Sequence, residues 1–251
     1  MSVALENQMS AQQERRVRLS LEQVASYWRQ GYLVCPKVVS AELCDAMILH
    51  AEELPTAREG IYDPVMQPHL IDPYFREILA APAIVSMVAD ILGEWPDGLQ
   101  TLFYFGRPAP QGFILHQDNY CVEAKDNDFL STWIALTDVT PDNGCLRAYP
   151  GSHTKGILPV RKLAPGEVNN QFPNMTDMPQ FDESIEPVDL RMNKGDLVVL
   201  HGNVLHCSYP NKSDRFRYAH LNTYIRPVSS FRPGNTARRR AEPLPMPEWQ
   251  S

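Results

Sequence analysis

The chain has no long apolar run. None of its hydrophobic stretches approaches the ~20 consecutive residues that cross a bilayer. The opening stretch, MSVALENQMSAQQERRVR, lacks the apolar core of a secretory signal. Cysteine is sparse and irregular. The five, Cys35, Cys44, Cys121, Cys145 and Cys207, are odd in number and contain no C-x-x-C pair. That argues against a disulfide framework and fits a reducing compartment. Positive charge is in deficit, with 23 Lys and Arg against 30 Asp and Glu and a net charge of −7. A general binder of the phosphate backbone needs the opposite balance. No segment repeats. Together these absences predict a water-soluble, cytoplasmic protein with neither membrane nor nucleic acid as partner.

What is present points to one sizeable domain. The 251 residues are 43% hydrophobic, enough for a substantial core. The 22 prolines lie between short apolar runs, which favours β structure with long loops over a helical bundle. Residues 1–18 are polar and predicted to be loose. A single domain is expected over 19–227, helical over 19–97 and β-rich over 98–227. In the helical part, Ser20 and Gln23 have capping-box spacing and Gly31 can end the helix that follows. Ser40 heads a second helix, and DPYFREILAAPAIVSMVADILG reads as two pieces divided before Pro82. From about residue 98 the period becomes strand-like: LQTLFYFG, GFILHQD, STWIALTDV, CLRAYP, GDLVVLHG and RYAHLNTYI, with turn signals between. Helices first and strands afterwards give an α+β chain, mainly β, with a sandwich or barrel core. Residues 228–251, rich in proline and arginine, read as a solvated or loosely docked tail.

The stretch FILHQDNY, residues 113–120, interrupts an apolar strand with His116 and Asp118. In a strand, residues two apart face the same side, so the two can grip one ion. A strand end facing water would also place them there. Of the seven histidines, His206 stands out because it follows the apolar strand DLVVLHG. Two imidazoles and one carboxylate on one face are the ligand set of non-haem Fe(II) oxygenases, which leaves adjacent positions open.

The wider motif set adds to that reading. QGYLV, HQD at 116–118, WIALTDVTPDNGCLRAYPGSH at 133–153, KGDLVVLHGNVLHCSYPNKS at 194–213 and RFRYAHLNTY at 215–224 resemble the phytanoyl-CoA dioxygenase family of Fe(II)/2-oxoglutarate oxygenases. The resemblance covers most of residues 20–226. It implies a double-stranded β-helix, the cupin-like jelly roll, with N-terminal helices bracing one sheet. It implies iron held by His116, Asp118 and His206, with 2-oxoglutarate and O2 as co-substrates. It implies that Arg217, eleven residues after His206, pairs with the distal carboxylate of 2-oxoglutarate. Strand parity alone does not separate Arg217 from Arg215. Ser208 matches a position that hydrogen-bonds the same carboxylate, and Trp133 an aromatic beside the co-substrate. The implied reaction oxidises a small molecule through a high-valent iron oxidant and releases succinate and CO2. Hydroxylation is the expected ending; desaturation, ring closure and epimerisation share the same site. The carboxylate of Asp118 argues for oxygen chemistry over halogenation.

Other residues carry plainer readings. His201 reads as packed and His153 as part of a turn. His220 lies mid-strand where it could face solvent. Residues 155–192, rich in amides and acids, lean toward a small polar substrate and away from an acyl-CoA. A jelly roll that binds a metal or ligand without turnover, and a zinc hydrolase on the same three ligands, remain the alternatives. Nothing in the sequence fixes oligomeric state beyond a monomer or weak homodimer.

Overall fold

The computed structural model describes residues 17–109, 112–164, 167 and 176–246. Its helices begin and end where their caps are chemically marked. Ser20 and Gln23 exchange side-chain-to-backbone bonds at the head of α1 (Leu21–Gln30), and Gly31, at φ 82°, closes it in the left-handed region. Ser40 caps α2 (Ala41–Glu52). Pro73 and Pro82 open α3 (Pro73–Leu79) and α4 (Pro82–Leu92), where a missing N–H breaks no helical bond.

The strands are β1 (Tyr32–Cys35), β2 (Val65–Met66), β3 (Asp97–Gly106), β4 (Phe129–Ala135), β5 (Leu146–Ala148), β6 (Val160–Lys162), β7 (Asp177–Pro179), β8 (Val188–Leu190), β9 (Leu197–His201), β10 (His206–Ser208), β11 (Arg217–Ile225) and β12 (Glu242–Pro243). The larger sheet runs β1-β9-β4-β11-β3-β12, with β2 also on β3; the smaller runs β10-β5-β8; β6 and β7 pair alone.

Alternation along the strands builds two cores. Phe103, Phe105, Leu130, Ile134, Leu197, Val199 and Tyr224 turn outward onto the helices, where they meet Phe75, Ile84 and Met87. Leu102, Trp133, Val198, Leu200 and Leu221 turn inward and meet Leu146, Ala148 and Leu190 of the smaller sheet. The result is a jelly roll, or double-stranded β-helix, braced on one face by helices.

Three local expectations are corrected. Phe113, Ile114 and Leu115 form no strand and are only half-buried. Only His116 pairs, through a single antiparallel bridge to His206. The Phe113 amide goes to the Ser208 hydroxyl instead of a ladder carbonyl (2.8 Å), and α5 (Asp118–Val122) bends the chain away two residues after the bridge. His220 faces no solvent. Its β11 parity turns it toward the helices, fully buried, stacked on Phe75 at 5.3 Å. The described part of the tail is not loosely docked. β12 pairs with the start of β3, Leu244 accepts from the Trp95 indole, and Arg76 meets Glu242 at 2.7 Å. At the other end, residues 17–19 dock on α4 through Ser86 and Asp90, while residues 1–16 of the expected loose N-terminus lie outside the described residues.

Candidate metal centre

Three short elements bring His116, Asp118 and His206 together. The two histidines are a directly opposed backbone pair, exchanging N–H···O bonds of 3.0 and 3.1 Å, with ring centroids 4.1 Å apart. Asp118 is the first residue of α5, not a strand neighbour, so helix geometry and not strand parity turns it toward the pair. One ligand atom from each residue lies within 4.8 Å of the other two.

Hydrogen bonds fix which atoms face inward. His116 Nδ1 bonds the Ile114 carbonyl at 2.8 Å and His206 Nδ1 the Val204 carbonyl at 3.1 Å. Each Nδ1 therefore donates, which leaves Nε2 with its lone pair. Both Nε2 atoms point to Asp118 Oδ1, at 3.5 and 3.8 Å. Asp118 Oδ2 accepts from the Ser131 hydroxyl at 2.7 Å. Burial lowers the His206 pKa to about 4, so this imidazole is neutral at pH 7, as a ligand must be. Burial works to raise the Asp118 carboxyl, but the two imidazoles that face it and the Ser131 hydroxyl hold it below the usual range. Two imidazole nitrogens and one carboxylate oxygen on one side fit a divalent iron ion.

The segment around this cluster is stapled from behind. Gln117 donates to the carbonyls of Gly156 and Asn203, at 2.8 and 2.6 Å, and Asn119 donates to Asn203 Oδ1 at 2.9 Å. Both point away from the three ligand atoms and tie residues 117–119 to the turn before His206.

Arg217 opens β11 and lies buried beside a recess of about 30 Å³ that it shares with Tyr104, Trp133, His206 and Ser208. Its guanidinium lies 5.3 Å from the Trp133 ring, and its Nε is buried without a hydrogen-bond partner among the described residues. Arg215 precedes the strand with its side chain 89% exposed, so the structure separates the pair that parity does not. The Ser208 hydroxyl accepts from the Phe113 amide, which leaves its proton to donate. An orphaned buried guanidinium with a hydroxyl beside the same recess fits a carboxylate. His201 is packed, bonded to Asn127 and Asn203 at 3.0 Å each, and His153 sits in a 3₁₀ turn.

A larger cavity of about 330 Å³ adjoins the cluster, walled by Leu102, Tyr104, Asp118, Phe129 and Leu221 among others. Comparison with known proteins agrees with this architecture. The family model described as Phytanoyl-CoA dioxygenase (PhyH) matches residues 27–219. The chain belongs to the phytanoyl-CoA dioxygenase family. Within that family it is 33% identical over 152 residues to "Phytanoyl-CoA dioxygenase 1" of Oryza sativa subsp. japonica, covering 60% of this chain and 52% of that one. The chain thus spans about half the length of that curated relative. Among solved structures, the nogalamycin-biosynthesis carbocyclase SnoK superposes with a TM-score of 0.70 at 24% identity, covering 91% of this chain and 94% of its own. The epimerase SnoN, solved with Fe3+, alpha ketoglutarate and nogalamycin RO, gives 0.68 at 22%, covering 90% and 94%. At these identities both likenesses establish the fold.

Sequence reasoning missed three residues of this family member's site. Tyr104 lies on the inward face of β3, within electrostatic reach of both Asp118 and Arg217. Ser131 holds Asp118 from β4. Arg239 reaches the larger cavity from the tail. The alternation in LFYFG could have marked Tyr104, since Phe103 and Phe105 claim the other face. Ser131 and Arg239 carry no spacing signal.

Proposed function

We propose that this family member is an Fe(II)/2-oxoglutarate oxygenase that hydroxylates a small organic molecule. One observation carries the reading: two Nε2 atoms and one carboxylate oxygen converge beside a recess that holds a buried, unpaired guanidinium. His116, Asp118 and His206 would hold iron. Arg217 would take the distal carboxylate of 2-oxoglutarate, Ser208 would donate to it, and Trp133 would pack beside it. Iron held there would supply, with 2-oxoglutarate and O2, the oxidant for hydroxylation, with succinate and CO2 as the co-products.

The chain's own residues do the rest. Ser131 holds one oxygen of Asp118 so that the other faces the imidazoles. The Ile114 and Val204 carbonyls keep both rings in the ligating tautomer. Leu102, Phe129 and Leu221 line the cavity and exclude water from its inner wall. Five unpaired cysteines support a reducing, cytoplasmic setting. Among the described residues no helix is long and apolar enough to cross a membrane.

The test is an anaerobic titration of the iron-free protein with Fe(II) and 2-oxoglutarate, followed by its visible charge-transfer band. The band should vanish in His206→Ala and need at least tenfold more 2-oxoglutarate in Arg217→Ala. No band in folded, iron-loaded protein overturns the reading.

A further inference from the structure

Among the described residues that line the larger cavity, Arg239 is the one arginine or lysine, and no carboxylate lies within salt-bridge distance of it. Arg239 reaches its wall from the C-terminal segment that β12 pins to β3. The side chain is held through two of its three guanidinium nitrogens. Its Nε donates to Gln100 Oε1 at 2.6 Å, and its Nη1 meets the carbonyls of Cys121, Arg232 and Pro233 at 3.1, 3.4 and 3.4 Å. Its Nη2 has no hydrogen-bond partner among the described residues. Gln100 is buried and gives its oxygen to Arg239, so its amide N–H groups also remain to donate.

The acidic groups of the wall are already engaged. Asp177 is paired with Lys162 at 2.6 Å and accepts from the Tyr120 hydroxyl at 3.1 Å. Asp118 faces the two histidines. Much of the remaining wall is apolar: Met66, Leu102, Val122, Phe129 and Leu221. A partly buried guanidinium set in such a wall, with Nη2 unbonded among the described residues, has fewer partners than usually accompany its desolvation.

We infer that Arg239, with Gln100, is the substrate-selecting residue of this cavity, and that the substrate is an apolar molecule bearing one carboxylate. This rests on the oxygenase reading for the chemistry but not for the binding. The Nη2 N–H groups, with those of the Gln100 amide, suit a small monoanion such as a carboxylate. A phosphate dianion would call for more positive charge than this wall offers. A neutral polar substrate would leave the guanidinium charge unmatched.

The test uses matched acids and amides: 2-naphthoate with 2-naphthamide, 3-phenylpropanoate with its amide, and decanoate with its amide. Each is titrated calorimetrically into the full chain loaded with Fe(II) and saturating 2-oxoglutarate without O2. Under those conditions Arg217 is occupied and nothing turns over. At least one acid should bind tenfold or more tightly than its amide. Arg239→Gln should abolish that preference and Arg239→Lys keep part of it, while Arg240→Gln, an exposed control, keeps it whole. The iron–2-oxoglutarate band should persist in Arg239→Gln. The inference is overturned if no acid is preferred, whether the pairs bind equally or not at all, or if the preference survives Arg239→Gln. Loss of the band in that variant also overturns it, because Arg239 would then be a strut of the fold. An acid preference that depends on Arg239 in a protein showing no band would sink the oxygenase reading and support the anion site.

Discussion

Asp118 depends on a neighbour that offers no metal ligand. The Ser131 hydroxyl holds Oδ2, and that bond aims Oδ1 at His116 and His206. Removing such an orienting bond typically costs 10–100-fold in metal affinity. Ser131→Ala should therefore weaken Fe(II) binding by about that factor, read by competition with a chelator, and leave the thermal midpoint nearly unchanged. Unaltered affinity would mean the serine only fills space. The histidines and the aspartate were legible as candidate ligands because the chemistry of a ligand lies in its residue type. Arg217 was legible only through family spacing, and burial is what sets it apart from Arg215. Ser131 was illegible: a serine in a strand carries no mark of what it touches.

At the scale of elements, the site is a joint between two turns. Asn203 is the pin. Its carbonyl takes Gln117, its side-chain oxygen takes Asn119, and its Nδ2 reaches Asp126 at 2.7 Å. Asn203→Ala strands buried partners and should cost about 1–3 kcal/mol in denaturant unfolding. It should also weaken metal binding, because His206 and Asp118 lose their common anchor; a stability loss with full metal affinity would refute that link. Gly106 serves Arg217 in a similar way. A Cβ there would meet the Arg217 carbonyl and come within 3.1 Å of its guanidinium. Gly106→Ala should raise the 2-oxoglutarate needed for the charge-transfer band by about tenfold, roughly 1.4 kcal/mol, with Fe(II) affinity unchanged. Caps and prolines made the helices legible. The run at 113–115 misled because apolar residues next to a histidine look the same whether the backbone pairs or turns, and the turn is made by contacts with residues 202–208.

Over the whole molecule, buried histidines set the response to acid. Burial lowers His206 and His201 to about 4 and His220 to about 3. The unfolded groups titrate near 6.5, so below that pH the unfolded chain binds protons that the folded protein refuses. Stability should be flat above pH 7 and fall between pH 6.5 and 4, by on the order of 1–2 kcal/mol per group at pH 5. Thermal midpoints of the metal-free protein at pH 7.5, 6 and 5 check this. The fall should be shallower in His220→Gln, and an unchanged slope would count against His220 as a contributor.

By itself the sequence determined the helix ends, the strand alternation and three candidate metal ligands, because each rests on short-range rules of capping, parity and coordination chemistry. The tertiary structure decided the rest. It made a bridge and a helix start, not a strand face, the means of joining His116, Asp118 and His206. It buried His220, and it laid the tail along β3 so that Arg239 reaches the cavity. Those outcomes depend on contacts between residues far apart in the chain, such as His116 with His206 and Arg239 with Gln100. No local pattern encodes them, because the free energy that selects them arises only when both partners are already in place.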